Sequence, residues 1–265
     1  MRNPLLLLGL LTVSALPLAA QGTAVVVIDG AIPDSMRTGP AAALPPTFDM
    51  RFTVAFDGRQ FGMQMELGDQ MKAGLGEQMA GFRVVALWRN GIDSLHIGIL
   101  LPPELSAMVG GGTGYRIDMQ MPSVPDSLVD GSDTTMTWTD LKRTATVAGV
   151  TCHEWQGVVK ADTIDFCVAP VTDAGLKEAL GNVRDLPAFK ALVGNATPST
   201  RNGKLGPEGG LPIRMRSRGA NGVRMELQQW VPGLPDASLF KMPDGLEPFP
   251  MEMLQGLTGT VPTKT

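Results

Sequence analysis

Between Phe48 and Leu67 the chain alternates apolar and polar side chains on either side of Asp57-Gly58, and no other stretch constrains the fold as tightly. A period of two marks a strand buried on one face. Asp-Gly suits a two-residue type I′ turn, whose central residues need positive φ. Pairing outward from that turn predicts Val54 opposite Phe61, Phe52 opposite Met63, Met50 opposite Met65 and Phe48 opposite Leu67, every pair apolar. Asp49, Arg51, Thr53, Gln60, Gln64 and Glu66 then fall on the other face. Such a strand pair must bury its apolar side against another sheet, a helix or a ligand.

The same pattern recurs. Around Asn90-Gly91 it predicts Ala86 opposite Leu95, Val84 opposite Ile97 and Phe82 opposite Ile99, with Arg83, Ser94 and His96 pointing outward. Tyr115, Ile117, Met119 and Met121 alternate with Arg116, Asp118 and Gln120 as a further half-buried strand. Thr151 to Ala169 reads as a third hairpin. A fourth turns at Asn221-Gly222, with Ile213 and Met215 on one arm and Val223, Met225 and Leu227 on the other.

Helical spacing is scarcer. Met71, Leu75 and Met79 recur every four residues after Asp69, weakened by Gly74 and Gly76. Leu176, Ala179, Leu180 and Val183 follow a Thr172 or Asp173 cap, and Leu186-Pro187 opens a short helix with Phe189, Leu192 and Val193. With 32 Gly and 21 Pro the chain is rich in turns. The fold class expected is mainly β: a curved antiparallel sheet or half-open barrel with two or three short α-helices.

Residues 1–20 read as a secretory signal peptide: Arg2, an apolar run from Leu5 to Leu11, and small residues before a cut at Ala20-Gln21. No later stretch is long and apolar enough to span a bilayer as a helix. One β-rich domain is expected over residues 21–257, with a frayed tail over 258–265 and a long exposed loop from Asn195 to Gly210. The formal charge of −4 gives no basic footprint for nucleic acid, and 43% hydrophobic against 18% charged residues excludes a disordered chain.

In an exported chain the two cysteines, Cys152 and Cys167, are expected to form a structural disulfide. The hairpin places Cys152 opposite Cys167 and Glu154 opposite Asp165, with the turn at Val159-Lys160. Val-Lys is poor turn chemistry, so a slip of two that makes the bridge diagonal stays open. His153, Trp155, Ile164, Phe166 and Val168 would share the other face. A 15-residue separation lacks the close motif of a redox-active pair.

Other chemistry is sparse. His153-Glu154-Trp155-Gln156-Gly157 has Gly where a zinc-protease helix needs its second His. No G-x-S-x-G elbow or Walker pattern occurs, and Gly110-Gly111-Gly112 lacks the lysine of a phosphate cradle. No catalytic residue is nominated, no cofactor is expected, and the protein is read as non-enzymatic. Met63-x-Met65, Met119-x-Met121 and Met251-x-Met253 resemble thioether pairs that bind Cu(I), but the first two lie on apolar strand faces where Met fills gaps in a core. Arg214, Arg216, Arg218 and Arg224 share one face of the fourth hairpin, either a solvated surface partly balanced by Glu226 or a grip for a lipid headgroup or acidic partner. Asp126, Asp130 and Asp133 do not match the spacing of a calcium loop.

Gly149-Val150-Thr151-Cys152-His153-Glu154-Trp155, followed by Asp165-Phe166-Cys167-Val168-Ala169, is similar to the paired-cysteine hairpin of an exported bacterial family called domain of unknown function 4412. Gly210-Leu211-Pro212-Ile213-Arg214 and Leu239-Phe240-Lys241-Met242-Pro243-Asp244-Gly245 resemble its later segments, and the likeness runs from Phe48 to Gly245. The Ala/Pro-rich stretch near Pro40–Pro46 and the Met-rich helix after Leu67 depart from it. The resemblance implies a fold like the LolA and LppX lipoprotein carriers, a curved sheet with an apolar concave face and no catalytic residues. The expected function is an exported envelope protein that binds a lipid or a lipidated protein, the pocket lined by Phe52, Met63, Met65, Val84, Ile97, Ile117 and Met119. A structural or interaction module with a filled core, and a periplasmic Cu(I)-binding protein, are the alternatives.

Overall fold

A computed structural model describes residues 21–37, 44–57, 60–89, 94–108, 112–120, 137–159, 162–170, 210–219 and 222–250. The N-terminal strands are β1 (Gly22–Ala31), β2 (Thr47–Phe56), β3 (Gln60–Leu67), β4 (Arg83–Arg89), β5 (Ser94–Leu100) and β6 (Gly114–Gln120). They are followed by β7 (Thr137–Val147), β8 (Val150–Val159), β9 (Asp162–Ala169), β10 (Leu211–Ser217), β11 (Arg224–Pro232) and the short β12 (Glu247–Pro248). All twelve lie in one sheet, ordered β12-β6-β5-β4-β3-β2-β1-β11-β10-β9-β8-β7. Neighbours are antiparallel except β12, which runs parallel to β6. The sheet is not closed, so the fold is mainly β, a curved half-open sheet. Among the described residues it carries two short α-helices, α1 (Asp69–Leu75) and α2 (Pro103–Met108).

β1 joins two meanders. It pairs with β2 on one side and β11 on the other. Its unbroken run Ala24-Val25-Val26-Val27-Ile28 suits a strand with neighbours on both edges. The expected helix after Leu67 is cut short. α1 ends at Gly76, whose φ of 81° leaves the helical region, and Glu77–Met79 continue as a single 3-10 turn. The N-terminus of α1 is capped from β2, where the Asp49 carboxylate accepts from Gln70 N and Met71 N at 3.2 and 2.9 Å. The helical stretches expected over 172–193 and the loop from Asn195 lie outside the described residues, as do residues 1–20.

Three hairpins share one correction: each register is displaced by two residues from the sequence expectation. In the first, Phe56 faces Phe61, Val54 faces Met63, Phe52 faces Met65 and Met50 faces Leu67. The pair is closed by Asp57 and Gln60. Asp57 N donates to the Gln60 carbonyl at 3.3 Å, and the Asp57 carboxylate accepts from Gln60 N at 3.0 Å and Gln60 Nε2 at 2.8 Å. In the second, Trp88 faces Leu95, Ala86 faces Ile97 and Val84 faces Ile99. In the third, Val159 faces Asp162 and Glu154 faces Cys167. A two-residue displacement keeps every side chain on its face; a displacement of one would have inverted them all.

The diagonal alternative for the disulfide is the one realised. Cys152 and Cys167 are bridged with Cα atoms 5.4 Å apart, both fully buried. β9 is buried on both faces. Cys167 and Ala169 join Cys152, Val147, Ile213 and Leu227 in one cluster. Ile164, Phe166 and Val168 join Met215 in another, with Trp138, Trp155 and Met225 packed on it. His153, expected in that second cluster, is exposed instead.

A strap formed by residues 237–249 crosses the sheet opposite the Phe52 face. Its first turn, Ala237–Phe240, is capped by Asp236, whose carboxylate accepts from Ser238 N at 2.8 Å. A Cβ on Gly62 would collide with the Leu239 carbonyl oxygen, and one on Gly98 with Met242 Sδ and Leu246, so Gly62 makes room for backbone and Gly98 for side chains of the strap. The strap ends by adding β12 to β6, with Phe249 edge-on to Tyr115 at 5.5 Å.

Candidate functional site

The registers of β1 to β6 align the apolar positions into three rows across the sheet. The first runs Val26, Phe52, Met65, Val84, Ile99, Tyr115. The second runs Ala24, Val54, Met63, Ala86, Ile97, Ile117, and the third Phe56, Phe61, Trp88, Leu95, Met119. All seven residues expected to line a pocket fall in these rows, on one face. Phe52 is buried at 6% exposure, whereas Met63, Met65, Val84, Ile97, Ile117 and Met119 are half-buried. Burial therefore grades across the face. Phe61, Trp88, Leu95 and Ala86 form a closed cluster on which the half-buried Val54, Met63, Ile97 and Met119 pack, while Met65, Val84, Ile99 and Ile117 are half-buried beyond it. Within the closed row Trp88 Nε1 is buried without a hydrogen-bond partner, which costs about 1–3 kcal/mol when nothing accepts from it.

The methionines of this face have hydrocarbon neighbours. Met63 lies between Val54 and Ala86, Met65 between Phe52 and Val84, and Met119 faces Leu95. No group of three or more His, Cys, Asp or Glu able to hold a metal occurs among the described residues. Met121, Met251, Met253 and the Asp126–Asp133 stretch lie outside them.

Arg214 and Arg216 lie on β10, Arg218 just beyond its end and Arg224 on β11, and three of the four are engaged. Arg214 Nη2 contacts Glu154 Oε1 at 2.7 Å, passing over the strand that carries Cys167, and Arg143 Nε contacts the other oxygen of Glu154 at 2.9 Å. Arg218 binds Asp165 with both Nε and Nη2 at 2.8 Å. Arg224 Nε contacts Asp29 at 2.8 Å. Burial pushes the Asp165 carboxyl up. The hydrogen bonds from Arg218 and Gln156 and the charges of Arg218 and Arg216 outweigh it and hold the group below the ordinary carboxylate value.

One constellation was not nominated from sequence. Ser94 and His96 point to the same side of β5, and Asp118 stands directly opposite His96 on β6. His96 Nδ1 lies 2.6 Å from Asp118 Oδ1, and His96 Nε2 lies 3.3 Å from Ser94 Oγ. An ionised Asp118 can only accept, so Nδ1–H donates to it; in the neutral imidazole Nε2 then accepts from the Ser94 hydroxyl. The hydrogen bond from His96 is the largest influence on the Asp118 carboxyl; burial opposes it, and with the nearby Arg116 added the group lies below its ordinary value. The side chains of His96 and Asp118 remain 42% and 45% exposed.

No family model matches the chain, and no curated protein matches it. Among solved structures it is similar to PNGF-II in a C2 crystal form, with a TM-score of 0.37 at 10% identity over 89% of this chain. PNGF-II in a P21 form gives 0.34 at 11% identity over 84%. The chain spans about a third of PNGF-II, 32% and 30% of the two chains.

Proposed function

We propose that this protein is exported, after cleavage behind Ala20, and carries a lipid or lipidated chain on the apolar face of β2–β6. The observation that carries this reading is the graded burial of the three rows, in which Met63, Met65, Val84, Ile97 and Ile117 keep surface available beside a closed cluster. Apolar side chains on an open sheet face favour an apolar occupant by about 25 cal/mol per Å² covered, and flexible Met side chains adapt to its shape. The Cys152–Cys167 bridge is in keeping with an oxidising compartment. No helix among the described residues is long and apolar enough to cross a membrane. Native mass spectrometry of the purified protein, with titration of a fluorescent fatty acid, tests the reading. Co-purifying lipid and saturable binding that Ile97→Gln with Ile117→Gln removes are expected. No lipid and no binding, with no ligand-dependent rise in melting temperature, would leave a filled structural module in its place.

The Ser94–His96–Asp118 relay favours a second reading, ester hydrolysis. Ser94 Oγ would attack the carbonyl, His96 would take its proton and return it to the leaving alcohol, and water would then release the acyl group from Ser94. This reading stands second because β5 is paired on both sides, which commits its peptide N–H groups to the ladders and away from an oxyanion. Turnover of a p-nitrophenyl ester that Ser94→Ala abolishes would support it; equal rates in the two proteins would remove it.

A further inference from the structure

Arg216 stands between two ladder neighbours that ought to decide its charge. On β9 it faces Asp165, and on β11 it faces Arg224. Asp165 attracts Arg216 through its charge but gives it no hydrogen bond, because Arg218 takes both Asp165 oxygens at 2.8 Å. The like charge of Arg224 remains, directly across the strand pair, an arrangement that destabilises a sheet. Glu154, Asp165 and Asp29 are matched to Arg214, Arg218 and Arg224 respectively. Arg216 is exposed and forms no ion pair or hydrogen bond among the described residues. Arg224 is held to Asp29 through Nε, so its terminal nitrogens stay available. The two guanidinium groups border a shallow depression of about 200 Å³, whose polar lining also includes Arg214, Asp29, Glu226 and Gln228.

We infer that Arg216 and Arg224 form a binding site for a tetrahedral oxyanion, a phosphate group either free or borne on a lipid headgroup. Two adjacent guanidinium groups offer planar forks of N–H donors that match phosphate oxygens two at a time. An anion between them also turns the cross-strand repulsion into attraction. Glu226 faces Arg214 one step along the ladder and accepts from Gln228 Nε2 at 3.4 Å, so its charge confines the anion to the Arg216 end. The site lies on the opposite face from the apolar rows: Val26 faces Phe52, while its neighbour Val27 faces Arg51 and lines the depression. It can therefore be tested apart from apolar-ligand binding.

The test uses calorimetric titration with sodium phosphate against sodium chloride of equal ionic strength, and flotation with phosphatidylglycerol or phosphatidylcholine vesicles. Arg216→Gln is compared with Arg89→Gln, which removes the same charge from the exposed end of β4. Arg216→Gln is expected to weaken oxyanion binding roughly tenfold or more while raising the melting temperature at low salt by about 1–3 °C through lost repulsion. Arg89→Gln should do neither. Saturable response to phosphate alone assigns the free anion; flotation with phosphatidylglycerol and no response to phosphate assigns a headgroup. Equal responses to phosphate and chloride with no flotation, or equal losses in the two variants, overturn the inference. Fatty-acid binding is followed in the same proteins, and its survival in Arg216→Gln separates this site from the apolar face.

Discussion

Arg214 and Glu154 meet at 2.7 Å across the intervening strand, so that an ion pair from β10 to β8 closes over the position of Cys167. Glu154 also holds Arg143 of β7 at 2.9 Å, and its side chain is only 20% exposed. One carboxylate thus ties β7, β8 and β10 beside the disulfide. Glu154→Gln leaves two arginines competing for one amide oxygen. Exposed pairs are worth little, and this one, partly shielded and doubly bonded, is expected to contribute about 1 kcal/mol. Urea denaturation should show a lower midpoint at unchanged slope.

The disulfide closes a loop with a sequence separation of 15, worth about 3 kcal/mol in the chain-entropy picture. Replacing both cysteines with Ala adds a small loss of packing in the cluster of Val147, Ala169, Ile213 and Leu227. The double variant is expected to lose about 3–4 kcal/mol in denaturant titration. A wild-type protein unaffected by reductant under the same conditions would contradict this.

Gly62 lies beneath the Leu239 carbonyl, and Gly98 beneath Met242 and Leu246. A side chain at Gly62 meets backbone, which cannot swing aside as the end of Met242 can. Gly62→Val is expected to cost about 1–3 kcal/mol by overpacking and to loosen the strap, read as faster proteolytic loss of the C-terminal segment. Gly98→Ala should cost less, since Met242 is flexible.

Asp165 and Asp118 both titrate below their ordinary values in the folded chain. A depressed folded pKa contributes stability that is fully present above the unfolded value, about 3.9 for Asp. That stability is lost as pH falls through the lower, folded value. Thermal stability is therefore expected to decline below pH ~4. Arg218→Gln should reduce the part due to Asp165, so that the variant differs most from wild type near neutrality and least in strong acid. Melting curves across the acid range check this, and a constant difference at every pH would refute the assignment.

The parity of the strands was legible in the sequence, whereas their partners were not. Alternation states which face Phe52 and Met63 occupy, but any even displacement satisfies it equally. In the first hairpin the Asp57 side chain captures Gln60, which favours the register with Phe56 opposite Phe61. β1 has an unbroken apolar run, so it offered no period to read, and the strap has none either. Its trace in sequence is the pair Gly62 and Gly98, each standing at an otherwise ordinary strand position. The Ser94–His96–Asp118 relay was half visible: Ser94 and His96 share a face by spacing alone, but Asp118 is brought in by the β5–β6 register. Arg216 could be placed on its face from sequence. That Arg218 takes both Asp165 oxygens, leaving Arg216 without a hydrogen bond to them, emerges from the three-dimensional arrangement alone.

The parallel pairing of Glu247 and Pro248 with Tyr115 and Arg116 has a consequence for how the molecule meets copies of itself. A sheet margin with vacant peptide groups recruits further strands, and here the chain's own late residues, with a proline among them, stand guard over the start of β6 at Tyr115 and Arg116. A cut in the strap would unseal that border and leave Tyr115 and Arg116 open to pairing with the edge of another chain.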